Sequence, residues 1–170
     1  AIKEKERLRQ NEEEGARKVN AILKNYFGHR FIELRAVKKD NEEGVYFDVF
    51  RGEQKAYNLS EGERNLVAFS YFVAKLEDVE TVAEKPIIWI DDPISSLDVN
   101  HVFFIFSLID QQIAAKHQWV QLFISTHNLD FLRYLKRLHT KELTIPYSDK
   151  KGDIKQRNIQ IQRFLLERKG

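Results

Sequence analysis

Residues 86 to 126 constrain the fold more than any other part of the chain. "PIIWIDD" (86–92) is a short apolar run ending in two acids, "HVFFIFSLIDQQIAAK" (101–116) reads as a helix, and "WVQLFIST" (119–126) is a second apolar run. Strands alternating with helices of this length predict an α/β fold with a mainly parallel sheet and flanking helices. In such sheets ligands bind outside the carboxyl ends of the strands. Asp91 and Asp92 end the first strand, His127 lies just past the second, and "NLDFLRYLKRL" (128–138) reads as a helix behind it.

The flanks are of a different kind. "FIELRAVKKDNEEGVYFDVFRG" (31–52) alternates and breaks at "DNEEG", the pattern of two strands joined by a hairpin loop. The tail after residue 140 predicts one or two strands around a "DKKGD" turn and then a final short helix. Residues 1–27 open with Lys, Glu and Arg and become apolar only at Val19, Ile22, Leu23, Tyr26 and Phe27. A helix so polar at its start has little to bury there. Residues 1–27 are therefore expected to be the end of a helical, coiled-coil-like arm entering a globular unit at 28–170, although a solvated surface helix has the same pattern.

"NLSEGERNLVAFSYFVAKL" (58–76) joins these halves. Ser60 followed three positions later by Glu63 is a capping box, and Leu66, Phe69, Val73 and Leu76 then recur at helical spacing. Gly62 does not fit a cap. Inside a first turn it costs about 1 kcal/mol relative to Ala, but it permits close approach to the exposed N–H groups of a helix N-terminus, an anion-binding feature.

The acid pair raises a similar choice. Adjacent carboxylates at the end of a buried strand repel unless a cation compensates, and Mg²⁺ typically takes one or two carboxylates together with substrate phosphates. The same residues also fit an Asp-Pro turn at Asp92 and a helix cap at Asp91. "SSLD" (95–98) fits a plain N-cap, and His127 a hydrogen-bonded loop histidine.

Composition excludes several classes. The chain has 170 residues, 42% of them apolar, enough for one domain with a sizeable core. With 28 Lys and Arg against 26 Asp and Glu, the net charge of +2 does not by itself imply a nucleic-acid partner. The absence of Cys excludes disulfides and Cys-based zinc sites. The longest apolar run, "VFFIF" (102–106), is far short of the roughly 20 residues of a membrane helix, and no signal peptide is visible. A cytoplasmic location without membrane contact is expected. The chain begins at Ala1 and contains no Met. A removed initiator Met, a fragment and a cleaved chain all fit this start, and the motifs below lead to the expectation of a fragment.

Taken together, "LSEGE", "IIWIDDPISSLD" and "LFISTHN" resemble, in order and spacing, the second half of an ABC-type ATPase head. The resemblance implies the C-terminal lobe of a P-loop NTPase of ABC type that uses ATP and Mg²⁺. Leu59, Ser60, Glu61, Gly62 and Glu63 match the signature, whose Ser and Gly contact the γ-phosphate of an ATP held by a second head, in a homodimer by expectation. Asp91 ends the Walker B strand and would bind Mg²⁺ through water. Asp92 stands where a catalytic Glu is usual. Ser96, Leu97 and Asp98 match the D-loop, and His127 the switch histidine.

Glu63 replaces the Gln of transporters and points to SMC-like and DNA-repair-like heads. Asp92, with "NLSEGERN" and "FISTHN", looks most like the bacterial anticodon-nuclease ABC ATPases and their defence-system relatives, which implies slow, switch-like hydrolysis. The closest Gly pair, Gly44 and Gly52, is eight apart, so no phosphate-binding loop is present. The Walker A lobe is expected N-terminal to Ala1 or on another polypeptide.

Partners implied are that lobe, a second head, and a nucleic acid, tRNA or DNA. Arg163 and Glu167 have the Arg-x-x-x-Glu spacing of anticodon nucleases, but no His follows and i,i+4 Arg–Glu pairs are common on helix surfaces. "RYLKRLHTK" (133–141) has the charge to track a nucleic-acid backbone, but reads first as a solvated helix face. Two alternatives stand beside the anticodon-nuclease type: a DNA-repair or SMC-type head that clamps DNA without its own nuclease, and an inert lobe serving as a binding module.

Overall fold

The computed structural model describes residues 2–28, 32–38, 45–78, 85–138, 144–148, 153–158 and 162–164. Helix α1 (Ile2–Phe27) buries Ala16, Val19, Ile22, Leu23 and Phe27 at three- and four-residue intervals, a single stripe, and packs on the elements that follow. Gly28, at φ 64°, ends it in the left-handed conformation that glycine adopts without penalty.

Strands β1 (Ile32–Lys38) and β2 (Val45–Arg51) pair antiparallel with Leu34 opposite Val49, and a tight turn adds the short β3 (Gln54–Lys55). Helix α2 (Glu61–Leu76) follows, burying Leu66, Ser70, Val73 and Ala74. The expected face is therefore rotated slightly, with Phe69 and Leu76 half-buried against the core.

Strand β4 (Ile87–Asp91) leads through a loop to helix α3 (Val99–Leu108), which runs into a π-helical turn, Ile109–Ala114. The wider turn is marked by the Ala115 N–H donating to Asp110 O at 2.9 Å. Strand β5 (Gln121–Ser125) then lies parallel to β4, and helix α4 (Leu129–Leu135) follows, its N-cap Asn128 accepting the Phe131 N–H at 2.9 Å. Strands β6 (Thr144–Ser148) and β7 (Ile154–Asn158) form an antiparallel pair, where one or two strands were expected in the tail.

The architecture is α/β, but the expected mainly parallel sheet is not what forms. Among the described residues, only β4 and β5 pair parallel, while β1–β2–β3 and β6–β7 are antiparallel. Connection length explains this. Short links only reverse the chain, whereas the segment between β4 and β5 carries a helix long enough for a crossover. The "DNEEG" loop, residues 149–152 of "DKKGD" and residues 165–170, where the tail's final short helix is expected to end, lie outside the described residues; 162–164 are not helical.

The core gathers Val19 and Leu23 of α1, Val73 of α2, Ile105 and Leu108 of α3, Ile109 and Ile113 of the π-turn and Phe131 of α4, all nearly or fully inaccessible. Asn20 fixes α1 to the sheet. Its Nδ2 donates to Leu34 O at 2.9 Å and its Oδ1 accepts the Leu34 N–H at 2.8 Å, so one side chain satisfies both outward-facing backbone groups of an edge-strand residue.

Replacing it orphans both groups. Asn20→Ala is expected to lower stability by about 1–3 kcal/mol in urea unfolding, and Asn20→Asp, which keeps only the acceptor, by an intermediate amount.

Candidate functional site

The expected site residues fall into two clusters. The first lies at the carboxyl ends of β4 and β5. Because the strands pair in register, Asp91 sits opposite Ser125, and the Ser125 hydroxyl donates to Asp91 Oδ1. The chain turns immediately: the Asp92 N–H donates to Ser125 O at 2.9 Å and Asp92 adopts φ 41°, a strained value for a residue other than glycine. That turn aims the Asp92 carboxylate back across the strand ends. Thr126 Oγ1 donates to Asp92 Oδ1 at 3.1 Å, and His127 Nδ1 meets Asp92 Oδ2 at 2.9 Å. Both oxygens of Asp92 are thus oriented, while the His127 side chain remains 82% exposed. Asp91, Asp92 and His127 are brought together as expected; Ser125 and Thr126, which hold them, were legible only as part of "FISTHN".

The second cluster forms around the N-terminus of α2. The capping box is present in both directions: the Ser60 hydroxyl accepts the Glu63 N–H at 3.1 Å, and the Ser60 N–H donates to Glu63 Oε2 at 2.8 Å. The hydroxyl proton of Ser60 is not used by that bond. Arg51, at the end of β2, donates to Glu63 Oε1 at 2.8 Å and joins the hairpin to the cap. Burial pushes the Glu63 carboxyl up, but hydrogen bonds from Ser60 and the charge and hydrogen bond of Arg51 together outweigh it, leaving the group below its ordinary value.

Gly62 packs against the loop between β4 and α3. A Cβ there would lie 3.1 Å from Ser96 O and 3.6 Å from Leu97 Cδ2, so this close approach is made by the chain's own backbone. Asn65 Nδ2 reinforces it by donating to Ser95 O at 2.8 Å. Ser96 sits at φ 60°, a second strained point in the same loop. Asp98 caps α3, accepting the His101 N–H on Oδ1 at 3.1 Å, with His101 Nδ1 2.7 Å from its other oxygen.

Ser60, Glu61, Gly62 and Glu63 share a cleft of about 700 Å³ with Ser96 and Asp98. Leu59 does not line it; its carbonyl accepts from Arg64 at 3.3 Å. Arg51, Asn58 and His101, which sequence reasoning missed, do line it. Asn58 lies two residues before the cap, whereas tertiary packing brings Arg51 and His101 to α2, so no local pattern carries those two.

Among the described residues, no group of three or more His, Cys, Asp or Glu could hold a metal ion by itself. The donor set still fits Mg²⁺ arriving with phosphates, since that ion needs only one or two protein carboxylates and Asp91 is exposed.

Linkage makes the cap testable. Because the folded state lowers the Glu63 pKa, its stabilising contribution is complete above the unfolded value and is lost as pH falls through the folded one. Glu63→Gln is expected to be destabilising in urea unfolding at about pH 7, with the difference from the parent protein shrinking towards about pH 3.

The sequence itself matches a family. Residues 1–169 match the model of the AAA_13 family, described as an AAA domain. The uncharacterized chromosomal cassette SCCmec type IVc protein CR006 of Staphylococcus aureus (strain MRSA252) is 34% identical over 102 residues, which are 57% of this chain and 14% of that protein. The same protein from Staphylococcus aureus without strain designation matches equally. The chain thus corresponds to a small part of the length of the curated relatives it matches.

A solved chain described under structural biochemistry of ATP-driven dimerization and DNA-stimulated activation of SMC ATPases aligns with TM-score 0.56 and 15% identity. The alignment covers 92% of this chain and 89% of that one. Its likeness is one of fold. The match along nearly the whole chain places this protein in the AAA_13 family of AAA domains.

Proposed function

We propose that this chain is the signature-bearing, C-terminal lobe of an ATP-hydrolysing head that closes on a second copy of itself. Residues 1–27 would be the end of a helical arm and 28–170 the lobe. The observation that carries this reading is the separation of the candidate residues into two half-sites, each chemically incomplete. Among the described residues, one has the oriented carboxylates at the strand ends but no helix N-terminus for a phosphate; the other has a helix N-terminus and an available hydroxyl proton but lacks that acid pair. A head-to-head dimer joins the first half-site of one copy to the second of the other.

In this reading, Asp92 is the base for the attacking water. Thr126 and His127 hold both its oxygens, which aims the carboxylate and leaves the exposed imidazole to sense the γ-phosphate. Being shorter than the usual Glu, Asp92 places the water differently, and a displacement of about 1 Å costs about a hundredfold in rate, as befits a switch. Asp91 would hold Mg²⁺ through water, and that ion would neutralise charge on the β- and γ-phosphates. Ser60, Gly62 and the D-loop residues Ser96 and Asp98 would meet the nucleotide of the opposite head.

A Walker A lobe elsewhere in the protein has a surface to meet. On one face of β4–β5, Ile87, Trp89 and Phe123 are 64%, 67% and 41% exposed, and the Trp89 and Phe123 rings stack at 5.3 Å. Apolar side chains of this size on a strand pair are expected to be covered in the complete head.

The switch is read as belonging to a nucleic-acid-directed defence protein of the anticodon-nuclease type, on "IDDPISSLD" and the Asp at position 92. A second reading, an SMC-type head that clamps DNA, is favoured by the fold likeness to the SMC ATPase chain. Stimulation of ATP turnover by tRNA but not duplex DNA supports the first reading, and the converse supports the second. Absence of any ATP turnover by the complete protein returns the lobe to an inert binding module. Among the described residues no helix is long and apolar enough to cross a membrane.

In the complete protein, Asp92→Asn is expected to retain Mg·ATP binding, abolish turnover and accumulate an ATP-bound dimer on size-exclusion chromatography. Asp91→Asn instead weakens Mg²⁺-dependent nucleotide binding measured by calorimetry. Indistinguishable behaviour of the two variants would overturn the division of roles.

Ser60 separates cap from composite site. As a cap alone, Ser60→Ala costs about 1 kcal/mol of stability without touching catalysis. As a signature residue, Ser60→Arg blocks ATP-driven dimerisation while the fold survives. Mixing Ser60→Arg protein with a Walker A-defective variant then restores part of the activity, because one composite site in the mixed dimer is intact. Mixed dimers that form and remain inactive count against the composite site.

A further inference from the structure

We propose that His101 is the positioning residue of the Asp98 carboxylate, and that Phe27, the last residue of α1, holds the imidazole in that role. The inference deepens the composite-site reading and rests on Asp98 acting as the D-loop acid. Both oxygens of Asp98 are engaged by the same residue: Oδ1 accepts the His101 N–H at 3.1 Å and Oδ2 lies 2.7 Å from Nδ1. A carboxylate only accepts, so Nδ1 carries the proton. The carboxylate plane is thereby fixed to the first turn of α3.

Exposure separates the two roles. The Asp98 side chain is 58% exposed and able to meet a group from outside the chain, while His101 is 21% exposed and lies behind it. Behind His101 stands Phe27, itself buried, with ring centroids 6.2 Å apart, and the same ring meets Phe104 edge-on at 6.4 Å.

The preceding residue grips the far end of the same helical run. The Tyr26 hydroxyl donates to Gln111 Oε1 at 3.1 Å and accepts from Gln112 Nε2 at 2.6 Å, both on the π-helical turn. Two consecutive residues at the end of α1 therefore hold α3 at its D-loop end and the π-turn at the other. A displacement of the end of α1 reaches Asp98 through one packed ring and one hydrogen-bonded imidazole.

The test uses ATP turnover by the complete protein. His101→Leu keeps the packing against Phe27 and removes the donor; it is expected to lower kcat about tenfold with KM for ATP within about twofold of the parent. His101→Asn, whose amide nitrogen takes the place of Nδ1, recovers most of the loss, a rescue that a purely structural role would not give. Phe27→Leu lowers kcat in the parent protein and has no further effect in the His101→Leu background, because it acts through the imidazole.

Asp98→Ala is the reference. If it leaves turnover unchanged, the D-loop reading falls, and the proposal with it. If Asp98→Ala abolishes turnover while His101→Leu leaves kcat unchanged, or His101→Asn is as impaired as His101→Leu, only the positioning role falls. Should thermal melting show that His101→Leu does not fold, His101→Asn against His101→Gln, whose donor is displaced by one bond, decides the matter: equal rates overturn the proposal.

Discussion

The in-register pairing of β4 with β5 places every chemical group of the first half-site. It sets Asp91 against Ser125, and the backbone bond from Asp92 to Ser125 extends the pairing one step past the strand. Side chains alternate along a strand, so a slip of one residue would move Ile88 and Ile90 out of the core and remove the hydroxyls from the acids. The alignment of buried isoleucines is thus what delivers two carboxylates and an imidazole to one edge. Core packing and site geometry are the same constraint here.

The second half-site depends on a different contact, the approach of α2 to the loop that leaves β4. Gly62 lies against Ser96 O, Asn65 binds Ser95 O, and the loop spans two residues with positive φ, Asp92 and Ser96. The loop that begins at the acid pair therefore ends in the signature cleft. Each strained residue lies at one end of this short bridge, and strain of about 1–3 kcal/mol at such a residue persists only where surrounding contacts over-determine it. The two half-sites of one chain are mechanically continuous, although they are proposed to serve different nucleotides.

Legibility in the sequence followed the range of the interactions. The Ser60–Glu63 capping box was readable because its partners are three residues apart, and the β4–α3–β5 order because the apolar runs and the helix between them are long enough to be distinct. The parallel sheet was over-extended from that unit to the whole chain, where short links dictate reversal instead. Arg51 at Glu63, Asn20 at Leu34 and His101 beside Phe27 were illegible, since each joins elements whose juxtaposition no local pattern encodes. The π-turn was likewise hidden: residues 101–116 carry an ordinary helical pattern, and the wider turn appears only with Tyr26 against Gln111 and Gln112. Gly62 illustrates a partial reading. Its need for space was visible, and the neighbour that fills that space is the chain's own loop.

The treatment of strand edges has a consequence for how this lobe behaves apart from its surroundings. Asn20 occupies the outward backbone groups of Leu34, so the edge of β1 is closed at that point to a foreign strand. The β4–β5 pair has no such guard among the described residues: each strand pairs only with the other, and beside those edges lie Ile87, Trp89 and Phe123. Open edges flanked by exposed aromatic and β-branched side chains are templates for self-association. A separately expressed lobe is therefore expected to aggregate through this sheet, and a charged residue in place of Ile87 or Phe123 is expected to oppose it.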